Sequence, residues 1–528
     1  MAEFYSIGPG TVPANGGVQE VGNKAWNLMR MAQAGLPVPA AFVLPTTWCR
    51  RTQPAHEKAL RAALADGIAR LETATGLTFG ATRRPLLVSV RSGAAVSMPG
   101  MMETVLDIGL NAETVEGLIR LTGNPRLAWD SYRRLVQGYA EVVANLPTAP
   151  FDALVAAALE QAEADNEREL DHRDLRALTH AMLDCYRTLT GSAFPDDPHV
   201  QLAGAAVAVF RSWDASKAVS YRQLNELSDA AGTAVTVQTM VYGNAGGASG
   251  AGVGFTRNPA TGARELYFDF QFNAQGEDVV AGRQKLRDNE RLRVVLPAVW
   301  TRLNDICQEL EVLFGDAQDF EFTVQSGELF LLQARRAKRT AWAALAIAVD
   351  MVEEGLLTPS DALAQLDGID LDTVVRTSFA PPVPETLAVA EVAGMGVASG
   401  AIALDPEAVK RLSATGTPAI LVRRETVTTD IEGMAFAAGI LTGSGGRTSH
   451  AAVVARQLGK VCLVACPGLD INLDHRQCRI GGTLLNEGDF LSLNGNTGAV
   501  HAGQLAQLTE RPEAALAAVA SWRRAAAA

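Results

Sequence analysis

In DFEFTVQSGELFLLQAR, residues 319–335, Asp319 and Glu321 alternate along one predicted strand, and Gln333 and Arg335 alternate along the next. Alternation puts each pair on one face, and Ser326-Gly327 is a turn dipeptide that folds the strands into a hairpin. Four side chains would then converge on one patch. Two carboxylates and an amide oxygen suit Mg²⁺, which takes hard oxygen ligands. Arg335 would stand where a phosphate oxygen bridges to such an ion. The plainer alternative is an exposed strand face whose charges only solvate it.

Three further features fit phosphate chemistry. Lys24 begins a helix after Gly22-Asn23, and Arg91 ends the strand LLVSV before small residues, so both cations face loops. Residues 243–254, GNAGGASGAGVG, hold six glycines in twelve residues, which lets backbone N–H groups approach a phosphate chain. The run lacks the Gly-Lys-Ser/Thr of a P-loop and opens no helix, so by itself it reads equally as a flexible hairpin loop. In GGRTSHAAVVARQLGK, residues 445–460, two glycines and two hydroxyl residues lead into His450, one of seven histidines, at the start of an apolar helical pattern. Thr448 or Ser449 can cap that helix. The dipole at a helix start favours neutral, nucleophilic imidazole, and afterwards favours negative charge on it. A cap with an incidental imidazole beside it explains the position as well.

The elements that must hold these residues read as α/β. A glycine turn, an amphipathic helix and an apolar strand occupy residues 17–50; a strand and small-residue loop follow at 86–111. Residues 112–230 carry Ala and Leu at helical spacing, an insertion on an α/β body. Strands return at 233–243, in GFTRNP and in ELYFDFQF. Residues 340–370 are helical, and TSFAPPVPETL (377–387), with three prolines, reads as an extended linker. Alternating strands (PAILVRR, GILTG, VCLVAC, DFLSLNG) and helices run from 388 to 506, before a last helix.

With 528 residues, 48% of them hydrophobic, the chain can fill several domain cores. A net charge of −12 argues against a general nucleic-acid or anionic-membrane surface. The N-terminus has no basic patch ahead of an apolar core, and no run of about 18 apolar residues could cross a bilayer. Six cysteines without a CxxC pair read as reduced, buried thiols. The expected compartment is the cytoplasm.

Long motifs then resemble a known family. VRSGAAVSMPGMMETVLDIGLN, NPRLAWDSYRR, FRSWD, GTAVTVQTMVYGN, GFTRNPATG, NAQGEDVVAG, DFEFTVQSGELFLLQAR, ETVTTDIEGM, GILTGSGGRTSHAAVVAR and EGDFLSLNGNTG stand in the order found in the pyruvate phosphate dikinases, and more distantly in the phosphoenolpyruvate synthases. The resemblance implies a multidomain α/β chain. Its parts would be an ATP-grasp nucleotide domain (1–340, helical insertion about 112–230), a connector (341–387), a compact phosphohistidine swivelling domain (388–506) and a C-terminal helix and tail (507–528). By motif match Lys24, Arg91, Asp319, Glu321, Gln333 and Arg335 correspond to ATP- and metal-binding residues, with Glu321 and Gln333 on Mg²⁺. His450 corresponds to the phosphorylated histidine, and Thr448 to a threonine that a regulatory kinase modifies in plant members.

The implied activity is an ATP-dependent phosphotransfer in which His450 takes the β-phosphoryl of ATP and AMP leaves. The γ-phosphoryl would go to inorganic phosphate, or to water. Three departures qualify this. The family's barrel for pyruvate or phosphoenolpyruvate does not follow the swivelling domain, so we expect a separate barrel protein to bind the acceptor. The loop usually similar to GNKGETSG reads GNAGGASG, and the usual ARGGMTSH reads GSGGRTSH. A homodimer is a further expectation. The alternative function is a non-catalytic regulatory or nucleotide-binding relic of a dikinase.

Overall fold

The computed structural model describes residues 4–527 except 9, 13, 51–55, 97, 99–101, 225–226, 229–230, 281–286, 427–429, 446–451, 453 and 456–457. Helix takes 43% and strand 23%, which makes the chain a mixed α/β protein.

Two antiparallel sheets build the first part. One has the order Tyr5–Ile7, Ala41–Leu44, Ala234–Thr239, Val88–Gly93, Thr104–Ile108; the other runs Glu328–Arg336, Gln318–Gln325, Gly250–Phe255, Tyr267–Phe272. The helices between Thr114 and Leu224 cover the first sheet, with Leu127, Tyr132, Leu202 and Phe210 packed on Val88, Val90 and Ile108. Phe268, Phe270, Phe320 and Phe322 of the second sheet pack on Leu303, Ile306 and Leu310 of the helix Pro297–Phe314.

The glycines of 243–254 divide into two groups. Gly250, Gly252 and Gly254 alternate along a strand, where an added Cβ would lie 2.2 Å from Phe270, 2.3 Å from Phe322 and 2.7 Å from Phe320. Their job is to admit these rings. At the tip, Gly246 (φ 125°) and Gly247 have nothing within 4 Å of an added Cβ, so only there is the backbone open to a ligand. The loop is bonded at its end, by Gly327 N–H to Ala248 O at 2.8 Å and Ser326 N–H to Ser249 Oγ at 2.9 Å.

The connector helices Ala341–Glu353 and Pro359–Gln365 are tied to the first part through Arg257. Its fully buried guanidinium donates to Glu311 at 3.0 and 2.9 Å, and to Glu354 at 2.7 Å. Paired and hydrogen-bonded in this way, a buried charge is tolerated.

Beyond the connector an eight-stranded sheet has the order Thr386–Val389, Ala499–Ala502, Phe490–Asn494, Val397–Ala403, Ala419–Arg423, Gly439–Thr442, Val461–Val464, Glu391–Gly394. The run from Val397–Ala403 to Val461–Val464 is parallel. GILT and VCLV are buried at every position, as parallel strands covered on both faces must be.

The Pro-rich linker is only partly a spacer. Arg376–Phe379 pairs antiparallel with Gln507–Glu510, so the chain enters and leaves the eight-stranded unit through one two-stranded ribbon. The final helix Glu513–Ala527 packs back on the connector, with Val519 buried among Leu345, Ala348 and Ala362.

Candidate functional site

A cleft of about 590 Å³ lies between the two antiparallel sheets, lined by Ser89, Arg91, Gln238, Gly252, Glu321 and Thr323 among others. Arg91 spans it. From the first sheet its Nη1 donates to Gln238 Oε1 at 3.2 Å and to the Leu332 carbonyl of the second at 3.3 Å, while Nη2 lies 3.4 Å from Glu321 Oε2. The head group is therefore held in the mouth between sheets, with its charge only loosely balanced.

The hairpin sets the opposite wall. Ser326 and Gly327 both have positive φ (52° and 85°), as a two-residue hairpin turn of primed type requires. Asp319 stands opposite Arg335 and Glu321 opposite Gln333. Arg335 Nε and Nη2 each meet Asp319 Oδ2 at 2.8 Å. Burial raises the Asp319 carboxyl above the ordinary range, and Arg335 opposes that rise. Asp319 thus serves to aim Arg335, leaving Glu321 and Gln333 as the free oxygen donors of the patch.

Lys24 reaches the same place through a break in its helix. Gly22 (φ 75°, ψ 159°) interrupts Gly17–Gln33, and a Cβ there would lie 2.2 Å from the Gly93 carbonyl oxygen. Asn23 N–H then bonds Ala94 O at 2.9 Å, which sets Lys24 beside the end of the Arg91 strand. Burial pushes the Lys24 ammonium down to about 8; Arg91 and Arg335 push the same way, and Glu321 opposes them. These interactions join Lys24, Arg91, Glu321 and Arg335 in one electrostatic cluster. With Arg335 paired to Asp319, Lys24 and Arg91 share the one loosely paired carboxylate of Glu321, which leaves the cluster short of negative charge that an oligophosphate would provide.

No group of three or more His, Cys, Asp or Glu able to hold a metal occurs among the described residues. The pair Glu321 and Gln333 still fits Mg²⁺, which binds through one or two protein oxygens and takes its remaining ligands from phosphates and water. Thr448 and His450 lie outside the described residues. The approach to them is described. Thr442 ends a central parallel strand, its Oγ1 donates to Ser444 O at 2.8 Å, and Gly445 follows at φ 93°. Beyond, Ala452 and Ala455 are buried against Met434, Ile440 and Cys462.

Sequence reasoning missed two things. Gln238 is buried in the cleft wall; its Oε1 accepts from Arg91 while its buried Nε2 has no partner. The second is a polar network under the glycine loop. Asp130, on the helix Pro125–Val142, accepts from Arg133 (3.0 Å), Arg134 (3.1 Å) and Asn244 Nδ2 (3.5 Å), and Gln275 Nε2 donates to Asn244 Oδ1 at 3.0 Å. Arg134 also bonds Asp278 at 3.0 Å. Although burial works against it, the arginines 134, 133 and 126 hold the Asp130 carboxyl down to about 2. The signal was present in WDSYRR, whose charges at i, i+3 and i+4 share one helix face.

Comparison with known proteins agrees with this architecture. Residues 52–296 and 283–356 match the pyruvate phosphate dikinase AMP/ATP-binding domain, and residues 416–498 match the PEP-utilising enzyme mobile domain. A pyruvate, phosphate dikinase of Clostridium symbiosum is 42% identical over 492 residues, 92% of this chain and 56% of the relative. Pyruvate, phosphate dikinase 2 of Zea mays is 42% identical over 507 residues, 95% of this chain and 57% of its own length. A pyruvate, phosphate dikinase of Giardia intestinalis is 42% identical over 510 residues, with 95% and 58% covered. The chain thus spans a little over half the length of these relatives. No described helix is long and apolar enough to cross a membrane. On these matches the chain belongs to the pyruvate phosphate dikinase family.

Proposed function

We propose that residues 1–528 perform the ATP half of a dikinase reaction. His450 attacks the β-phosphorus of ATP, the bond from that phosphorus to the α,β-bridging oxygen breaks, and AMP leaves. The γ-phosphoryl goes to inorganic phosphate or to water. The phosphohistidine then passes its phosphoryl group to pyruvate or another small acceptor bound outside these residues. We assign the nucleotide unit to 1–340, the connector to 341–387, the phosphohistidine unit to 388–506 and the tail to 507–528. The observation that carries this reading is the electrostatic cluster of Lys24, Arg91, Glu321 and Arg335 beside a cleft between sheets that Arg91 and Glu321 line.

In this reading Arg91, Lys24 and Arg335 neutralise the phosphate chain as charge shifts along it, which together with positioning is most of what phosphoryl transfer needs. Asp319 fixes Arg335, and Gln238 Oε1 helps to hold Arg91. Mg²⁺ between Glu321 and Gln333 would neutralise charge on the bridging oxygens. The ribbon of 376–379 and 507–510 supplies the hinge about which 388–506 carries His450 away from the cleft.

The test is a partial reaction. With ATP, Mg²⁺, phosphate and pyruvate, the purified chain should release about one AMP per protein and then stop, with no phosphoenolpyruvate. Absence of AMP overturns the assignment. Sustained phosphoenolpyruvate would put the acceptor site within these 528 residues.

Lys24 adds a pH signature. With an ammonium that loses its proton near pH 8, ATP affinity is full below that value and declines above it. The decline approaches about tenfold per pH unit once the lysine is largely neutral, because binding must then restore the proton. Lys24→Arg, which stays charged, should flatten the profile between pH 7 and 9. Calorimetry in buffers of different ionisation enthalpy would show proton uptake on binding. A flat wild-type profile with no uptake would remove Lys24 from the phosphate site.

A further inference from the structure

A second cationic feature lies on the far side of the helix that underpins the glycine loop. On the helix His172–Thr190, His172, Arg176 and His180 stand four residues apart with Arg173 beside them, forming one stripe about 12 Å long. Together with Trp129 they wall an open groove of about 620 Å³, whose lining contains a single carboxylate, Glu116. Arg176 is held over the Trp129 ring, 5.4 Å from its centroid, and the His180 ring lies 5.7 Å from it.

The two arginines differ from most of their neighbours. Arg133 and Arg134 are paired with carboxylates, and Arg126 donates to the Leu170 and Glu167 carbonyls. Among the described residues, neither Arg173 nor Arg176 makes an ion pair. Asp171 and Asp174 are bound into the capping box of their own helix and form no ion pair with either arginine among the described residues. In a chain of net charge −12, an unpaired cationic stripe built around a buried tryptophan is a departure from the general surface.

We propose that this groove binds a dianionic phosphate group, carried by inorganic phosphate, by pyrophosphate or by a nucleoside monophosphate. Arg173 and Arg176, three residues apart, present two guanidinium forks to one phosphate. His172 and His180 extend the donors to either side, a span that suits more than a single phosphate. The Trp129 rim offers an apolar edge to whatever carries it. The site is distinct from the nucleotide cleft and stands independently of its assignment.

Equilibrium dialysis with labelled phosphate, pyrophosphate and AMP tests this, with the cleft saturated by a non-hydrolysable ATP analogue. Wild type should bind one further equivalent of at least one of the three. Arg173→Ala/Arg176→Ala should weaken that binding about tenfold or more while leaving the thermal midpoint unchanged, since both side chains are exposed. Preference among the three ligands identifies the carrier. Saturable binding of none of them, equal binding by the double variant, or binding lost in Arg91→Ala but kept in the double variant would each overturn the proposal.

Discussion

Incubated with ATP labelled in its β-phosphoryl group, the chain should acquire protein-bound label that survives base and is lost in acid, and His450→Ala should reduce it to background. The expected loss is at least on the order of 1,000-fold, the scale of removing a nucleophile for which nothing substitutes. The physical case begins with the backbone. A central parallel strand ends at Thr442, Gly445 turns in a left-handed conformation, and an apolar helical pattern resumes with Ala452 and Ala455 buried. Loops after the carboxyl ends of parallel strands are where α/β sheets place ligands. In sequence His450 falls between those anchors, at the start of the helical pattern, where a helix dipole would favour neutral imidazole before transfer and the phosphoryl charge afterwards. A buried histidine among the described residues of the unit is a poor competitor. His501 is 3% exposed and its Nδ1 lies 2.9 Å from the Pro384 carbonyl. Label that persists in His450→Ala, on His501 or elsewhere, would falsify the assignment.

Replacing Glu321 with Ala should slow phosphorylation of the protein by a factor on the order of 100 or more at saturating Mg²⁺ and ATP, comparable to losing one key electrostatic contact. Two effects add. The variant removes one of the two free oxygen donors on the hairpin, and it removes the carboxylate that opposes Arg91 and Arg335 around Lys24. Glu321→Gln keeps an oxygen donor and should recover part of the rate. A structural defect would not be rescued in this graded way, since both variants leave the register of the hairpin intact. Rapid-quench measurement of phosphoprotein decides the matter. An unchanged rate in Glu321→Ala would take the hairpin out of the site.

The hairpin was the most legible part of the site because its information is local. Period-two alternation and a two-residue turn place the strands side by side, but alone they would set Asp319 opposite Ala334 and Glu321 opposite Leu332; a register shift between Glu321 and Phe322 is what brings Asp319 to Arg335 and Glu321 to Gln333. The division of labour was not legible. The strands alone do not reveal that Asp319 is engaged by Arg335, so the patch retains fewer free oxygens than four polar residues suggest. Lys24 and Arg91 were legible as cations at element ends, but not as neighbours, since the break at Gly22 that unites them depends on the close passage of Gly93.

The glycine run illustrates the general limit. Its composition left a phosphate loop and a flexible hairpin loop both open, yet half its glycines admit phenylalanines from strands paired across the sheet. Which ring meets which glycine is a matter of register between segments up to about 70 residues apart, and one-dimensional patterns do not carry it. The same holds for TSFAPPVPETL. Its prolines signal an extended chain, but its first residues find strand partners only at 507–509.

That ribbon makes the eight-stranded unit an inserted domain in the topological sense. Its two chain ends lie side by side, one strand spacing apart, and the polypeptide on either side closes on itself through the final helix and the connector. Such a unit can be lifted out in one piece, with a short turn joining 379 to 507, without cutting through either core. It also means that the eight-stranded unit is tethered twice. A single break in one strand of the ribbon leaves it attached by the other, so its local concentration at the cleft persists while its freedom to rotate increases.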